Sequence, residues 1–163
     1  MKKFVFVLTF FMFIGLIIYY LNSSSSNIVV VNNNYQQKVL NIELNKTQDA
    51  HCGMIIDSFD FSAQIASKDG RTWFFHDLGG IPLWLRDKKL QDVKIYVYTI
   101  DSKKWIDAKS AYYSRVENTP MNYGFGAYEF NKENFVTFND MCELMLKGEN
   151  LTNPHVKKQL LRQ

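Results

Sequence analysis

His51-Cys52-Gly53-Met54 places two sulfur side chains one residue apart with an imidazole beside them. A thiolate and a thioether are soft donors, and soft donors suit Cu(I) far better than hard cations. Gly53 allows the backbone to bend so that both sulfurs face one point. A third sulfur is available at Met121, in the turn Asn118-Thr119-Pro120-Met121-Asn122, where a large apolar residue has little packing reason to be. Cys52, Met54 and Met121 together would make a trigonal sulfur site matched to Cu(I). The alternative for both methionines is the core, with Met54 opening a strand Met54-Ile55-Ile56. His51 and His76 are the nitrogen candidates: His51 adjoins Cys52 and is placed to lower its pKa or to ligate, whereas either ring is otherwise a satisfied surface group. His155, beside Pro154, is a weaker candidate.

The remaining chemistry-bearing residues point to no catalysis. Asp77, Asp101 and Asp107 stand at expected element ends and read as cap or turn residues. There is no paired-carboxylate spacing, no G-x-S-x-G, C-x-x-C or H-E-x-x-H, and no Gly-rich phosphate loop. The second cysteine, Cys142, leaves open a structural disulfide to Cys52, whose long loop would contribute roughly 4 kcal/mol. Formal charge is +3, and setting aside Lys2 and Lys3 leaves 17 basic against 16 acidic residues, so no basic patch argues for nucleic acid.

What positions these residues begins with an anchor. Lys2 and Lys3 precede an uncharged apolar run from Phe4 to Leu21, 18 residues long, which fits a spanning helix better than a cleaved signal, since no small-residue cleavage site follows. Residues 1–22 are therefore expected to hold the chain in a membrane and to export the rest. Residues 23–47, with Ser23 to Ser26 and Asn32-Asn33-Asn34, read as a polar tether, and residues 48–163 as the folded domain, whose 47% hydrophobic and 15% aromatic content suffices for a core. Within it, strands at 62–66 and 71–75 form a hairpin about Ser67-Lys68-Asp69-Gly70, a helix covers 78–90, and a strand covers 93–100, giving a ββαβ order. In the second half, strands at 111–117 and 124–130 form another hairpin, 135–138 is a short strand, Asn139 or Asp140 caps a helix stopped by Gly148, and a short helix follows Pro154. The expected fold class is α+β, two small related ββαβ-type units behind the anchor.

Several segments resemble one known family: HCGM at 51–54, AQI at 63–65, DGRTWFFHDLGG at 69–80, YVYTIDSKKWIDAKSAYY at 96–113 and TPMNYGFGAYEF at 119–130, in that order and over about half the chain. These resemble the NosL family, copper chaperones that assist nitrous oxide reductase on the outer, periplasmic side of the bacterial inner membrane. The resemblance implies two related ββαβ units and one Cu(I), with Cys52 and Met121 as sulfur ligands and Met54 or a histidine completing the set. It implies a non-enzymatic protein that hands copper to a client enzyme, nitrous oxide reductase and its maturation complex being the expected partners. This chain has no cysteine near residue 22 for a lipid anchor, and His76 stands where relatives often carry aspartate. Two other classes compete: a thiol enzyme of the organomercurial lyase type, which needs a second thiol beside Cys52, and a metal-free assembly protein using the basic C-terminal helix.

Overall fold

The computed structural model describes residues 10, 12–17 and 27–162. The expected anchor lies mostly outside them; residues 12–17 are helical (α1), and no described helix is long and apolar enough to cross a membrane. The fold is mixed α and β. A five-stranded antiparallel sheet runs in the order β1-β3-β2-β4-β5, formed by Val30–Val31 (β1), Ala63–Ser67 (β2), Thr72–Phe75 (β3), Val93–Tyr98 (β4) and Trp105–Asp107 (β5). A second sheet pairs Tyr112–Ser114 (β6) with Gly126–Tyr128 (β7). Helices Gly80–Leu85 (α2), Phe138–Leu146 (α3) and Pro154–Leu160 (α4) and a short 3-10 turn at Ala108–Ser110 complete the described elements.

β2 and β3 form the expected hairpin, with Ala63 opposite Phe75 and Ile65 opposite Trp73. Its turn closes through Gly70 N–H donating to the Ser67 carbonyl at 3.0 Å, and Gly70 takes the positive φ of 92° that only glycine adopts without strain. Strand alternation then divides the side chains. Ala63, Ile65, Trp73 and Phe75 enter the main core with Leu78, Ile81, Tyr113, Phe125 and Met141. Phe74 faces the other way, into a smaller cluster with Ile42 and Ile56.

That second face is covered by the stretch expected to be a tether. Ile28 bridges Thr47, β1 pairs with β3, and Gln64 of the central strand is held by Leu40, donating to its carbonyl at 2.7 Å and accepting from its N–H at 2.9 Å. Ile42 is 2% exposed. Residues 27–47 are thus part of the packed body, because a sheet with apolar residues on both faces needs two covers.

The remaining elements are shorter than the sequence pattern suggests. The helix expected over 78–90 is Gly80–Leu85, where Trp84 packs on Trp73 at 5.0 Å and on Phe75 at 5.4 Å between ring centroids. The expected strand at 135–138 contributes only a bridge from Val136 to Tyr113, and that at 54–56 only a bridge from Ile55 to Gln48. The cap of α3 is neither Asn139 nor Asp140 but Thr137, whose hydroxyl accepts from Asp140 N–H while the Asp140 carboxylate accepts from Thr137 N–H, closing a capping box. Gly148, at φ 72°, ends the helix as expected.

Because Thr137 is the residue that satisfies an otherwise orphaned N–H, Thr137→Ala is expected to cost about 1 kcal/mol in urea denaturation. Asn139→Ala, at an exposed position inside the first turn, is expected to change stability by less than about 0.5 kcal/mol.

Candidate metal centre

His76 follows the last residue of β3 and lies beside the loop that carries Cys52. Ala50 N–H donates to the Phe74 carbonyl at 2.9 Å and pins that loop to the strand. The loop closes on itself through Asp49 N–H to the Met54 carbonyl at 2.8 Å and Gly53 N–H to the Asp49 carbonyl at 3.0 Å, with Gly53 at φ 78°. Glycine is needed there for its backbone conformation.

Asp49 organises the site. Its side chain is 2% exposed, and four N–H groups point at it. Oδ1 accepts from His51 N–H at 2.6 Å and Cys52 N–H at 2.9 Å; Oδ2 accepts from His76 N–H at 2.8 Å and from His76 Nδ1 at 2.9 Å. Burial opposes ionisation of Asp49, but these hydrogen bonds outweigh it and hold its pKa below the usual carboxylate value. An ionised carboxylate only accepts, so His76 Nδ1 is the protonated ring nitrogen. Cys52 Sγ lies 3.7 Å from the same Nδ1. Asp49, Cys52 and His76 thus offer one oxygen, one sulfur and one nitrogen within 4.8 Å of one another, a group that could hold a metal ion.

Asp77, the next residue, ties in the second loop. It is 1% exposed and accepts from Gly79 N–H at 3.1 Å and Met121 N–H at 2.9 Å, with Thr119 as a further side-chain partner. Burial raises its pKa in spite of these bonds. The Cys52 loop and the Met121 turn are therefore both fastened to His76-Asp77. A cleft of about 490 Å³ between them is lined by Met54, Asp57, His76, Thr119 and Pro120 among others. Met54 is 42% exposed at its wall, and Met121 is half-buried.

His51 does not lower the Cys52 pKa as its position suggested. Its ring lies over Gly80, and its Nε2 is 3.5 Å from the Tyr123 hydroxyl. The pKa of Cys52 is raised, chiefly by burial and further by the negative charge of Asp49, so the metal-free side chain is a neutral thiol at neutral pH. Cys142, on α3, is a free thiol pushed up to about 11 by burial; with Cys52 also free, there is no disulfide between them. Asp101 and Asp107 hold loop N–H groups, as their positions implied.

Asp49 is the site residue that sequence reading passed over. Its signal is local: an aspartate two and three residues before the N–H groups it binds, ahead of a glycine, is an Asx-type turn. Its long-range partner His76 leaves no trace in spacing. Compared with known proteins, the chain matches no protein-family model and no curated sequence.

Gly79 and Gly80 form the floor on which the two loops meet. A Cβ on Gly79 would lie 2.8 Å from Tyr123 Cβ, and one on Gly80 3.1 Å from the His51 ring. Gly79→Ala is therefore expected to cost about 1–3 kcal/mol in urea denaturation, since a Cβ cannot swing away, while Gly80→Ala costs less because the exposed His51 ring yields.

The lowered pKa of Asp49 has a definite sign. Folding favours its ionised form, so its contribution is complete above the unfolded value of about 3.9 and is lost as pH falls through the lower folded value. The amide resonances of His51, Cys52 and His76 are expected to titrate together in NMR spectra with a midpoint below that value; a midpoint above it contradicts the hydrogen-bond assignment.

Proposed function

We propose that this protein binds Cu(I) as cargo and passes it to a copper enzyme, in the manner of the NosL chaperones that its sequence resembles. The observation that carries this reading is the 3.7 Å separation of Cys52 Sγ and His76 Nδ1. Metal bonds of about 2.3 Å to sulfur and 2.0 Å to nitrogen, opened by about 120°, span about 3.7 Å, so one ion fits both atoms with little rearrangement. Met54, exposed at the cleft, and Met121, held by Asp77, are the neutral sulfur donors that would complete a soft site. Cys52, Met54 and Met121 are the proposed sulfur ligands, and His76 supplies nitrogen.

Exchange follows from the exposure of Met54 at the cleft. A chaperone must hold its ion firmly yet leave a direction from which the recipient's ligand can attack, and the open cleft beside His76 and Met54 offers that direction. Copper would enter by displacing the Cys52 proton to solvent, with the His76 ring moving its hydrogen from Nδ1 to Nε2, and a client thiol, thioether or imidazole would take it by ligand substitution with no change in oxidation state. Nitrous oxide reductase and its maturation complex are the proposed recipients, with the apolar N-terminal segment holding the protein on the periplasmic side of a bacterial inner membrane. The two-unit ββαβ reading belongs to the same proposal; the order β2-β3-α2-β4 supports the first unit, and β6-β7 followed by α3 supports part of the second.

Two features weigh against a thiol enzyme. Cys52 and Asp49 approach the same imidazole nitrogen, whereas a nucleophile–histidine–carboxylate relay uses opposite nitrogens. Cys142, the other thiol such an enzyme would want beside Cys52, packs on α3 against the main core.

Cys52→Ser is expected to lower Cu(I) affinity, measured anaerobically against a chromogenic chelator, by more than the roughly 10–100-fold typical of outer-shell substitutions. Met54→Leu and Met121→Leu should each cost less, and Cys142→Ser should change it little. A Cys52→Ser protein that binds as tightly as the parent overturns the proposal.

A further inference from the structure

We propose that the cleft between Arg115, residues 133–135 and the end of α4 is a docking site for an acidic segment of a partner protein, which enters extended and places one aspartate or glutamate carboxylate on the Arg115 guanidinium. The site uses no metal and none of the residues around Asp49, and it does not rest on the copper reading.

The cleft exists because a strand pairing stops early. Tyr113 and Val136 exchange both backbone hydrogen bonds at 2.9 Å, as opposed residues of an antiparallel ladder do. Continued by two residues, that ladder would set Arg115 opposite Asn134. Instead Asn134 takes a positive φ of 66° and Phe135 N–H turns back to the Lys132 carbonyl, so the two segments part. Between them lies a cleft of about 450 Å³, walled by Arg115 and Val116 on one side and by Glu133, Asn134 and Phe135 on the other, with Leu160 of α4 beside them. Backbone groups two residues apart on a strand point the same way, so the Arg115 N–H belongs to the edge that pairs with Val136. It donates to no carbonyl among the described residues. An extended segment entering the cleft meets a free strand edge.

The guanidinium supplies the reason for a carboxylate. Arg115 Nε is buried without a hydrogen-bond partner, the only such side-chain nitrogen or oxygen among the described residues. A buried donor left unpaired is destabilising, which makes such atoms rare. One hydrogen bond holds the group, from Nη2 to the Glu149 carbonyl at 3.2 Å, so turning it into the cleft breaks little. There Nε–H and an Nη–H form the parallel pair of donors that a carboxylate accepts. No carboxylate of the described residues stands at salt-bridge distance from Arg115. Glu133 on the opposite wall disfavours a dianion such as phosphate and leaves a single carboxylate as the better fit.

The surroundings fit the rest of such a segment. Val116 is 49% exposed, and Phe135 and Leu160 are half-buried, so apolar side chains flanking the acidic one have surface to cover. Lys157, Lys158 and Arg162, exposed on and just after α4, likewise have no carboxylate partner among the described residues and draw an acidic chain to this side of the molecule.

The probes are two capped peptides, Ser-Val-Glu-Leu-Ser and Ser-Val-Gln-Leu-Ser, added to the full-length chain in detergent, with the Arg115 Nε–H and backbone N–H resonances as readout. The glutamate peptide is expected to move both resonances and to bind at least about tenfold more tightly than the glutamine peptide, because a hydrogen bond to a charged group is at stake. Arg115→Gln is expected to remove that preference, and Glu133→Gln to strengthen it. The proposal is overturned if the glutamate peptide leaves the Nε–H resonance in place, if the two peptides bind alike, or if the shifts fall on α4 and not on Arg115. It is overturned as well if propionate at equal concentration reproduces them, which would make this a site for free acids. The Nε–H resonance is read in the parent protein, so the matter is decided even where Arg115→Gln fails to fold.

Discussion

A buried carboxylate must be fully hydrogen-bonded or it destabilises the fold by several kcal/mol. Asp49 meets that requirement with four N–H groups from two places in the chain, its own loop and the end of β3. The requirement sets the conformation of residues 49–54, the placement of that loop against the sheet, and the tautomer and orientation of the His76 ring. Cys52 and His76 come together because each is held by the same pair of oxygens.

His76 and Asp77 repeat the logic on two sides of one backbone. His76 turns toward the Cys52 loop, and Asp77 turns toward the Met121 turn and binds its N–H. The glycine pair that follows lets His51 and Tyr123, one from each loop, settle against the backbone, with no room for a Cβ at Gly79 and little at Gly80. Neither loop has much regular secondary structure, so their definition comes from these buried polar ties. Packing of β2 and β3 on both faces provides the rigid support from which the ties are made.

The same environment decides what Cys52 is suited to. Burial and a neighbouring carboxylate keep it a neutral thiol, a poor nucleophile until a cation displaces its proton. Oxygen of Asp49, sulfur of Cys52 and nitrogen of His76 lie within 4.8 Å of one another, a group that could hold a metal ion.

Sequence alone was enough for the parts that depend on local physics. Alternating apolar residues and a glycine turn marked β2 and β3, the β-branched run marked β4, and Pro154 and Gly148 marked helix ends, because each is set by neighbours a few positions away. The chemistry of Cys52, Met54 and Met121 was legible as a set of soft donors, and His76 as a nitrogen candidate. Asp49 was not, because an aspartate before a turn has many ordinary uses and its pairing with His76 spans 27 positions. The cap at Thr137 and the short α2 were misjudged for a related reason: where a helix begins or ends depends on which N–H groups tertiary packing leaves unpaired. Residues 27–47 read as a tether on polar composition, yet they lie along the sheet, since only the folded sheet shows that Phe74 and Gln64 point to a face in need of cover. The types of donor atom are written in the sequence; their distances from one another follow from a buried charge that only the tertiary structure brings within reach of its partners.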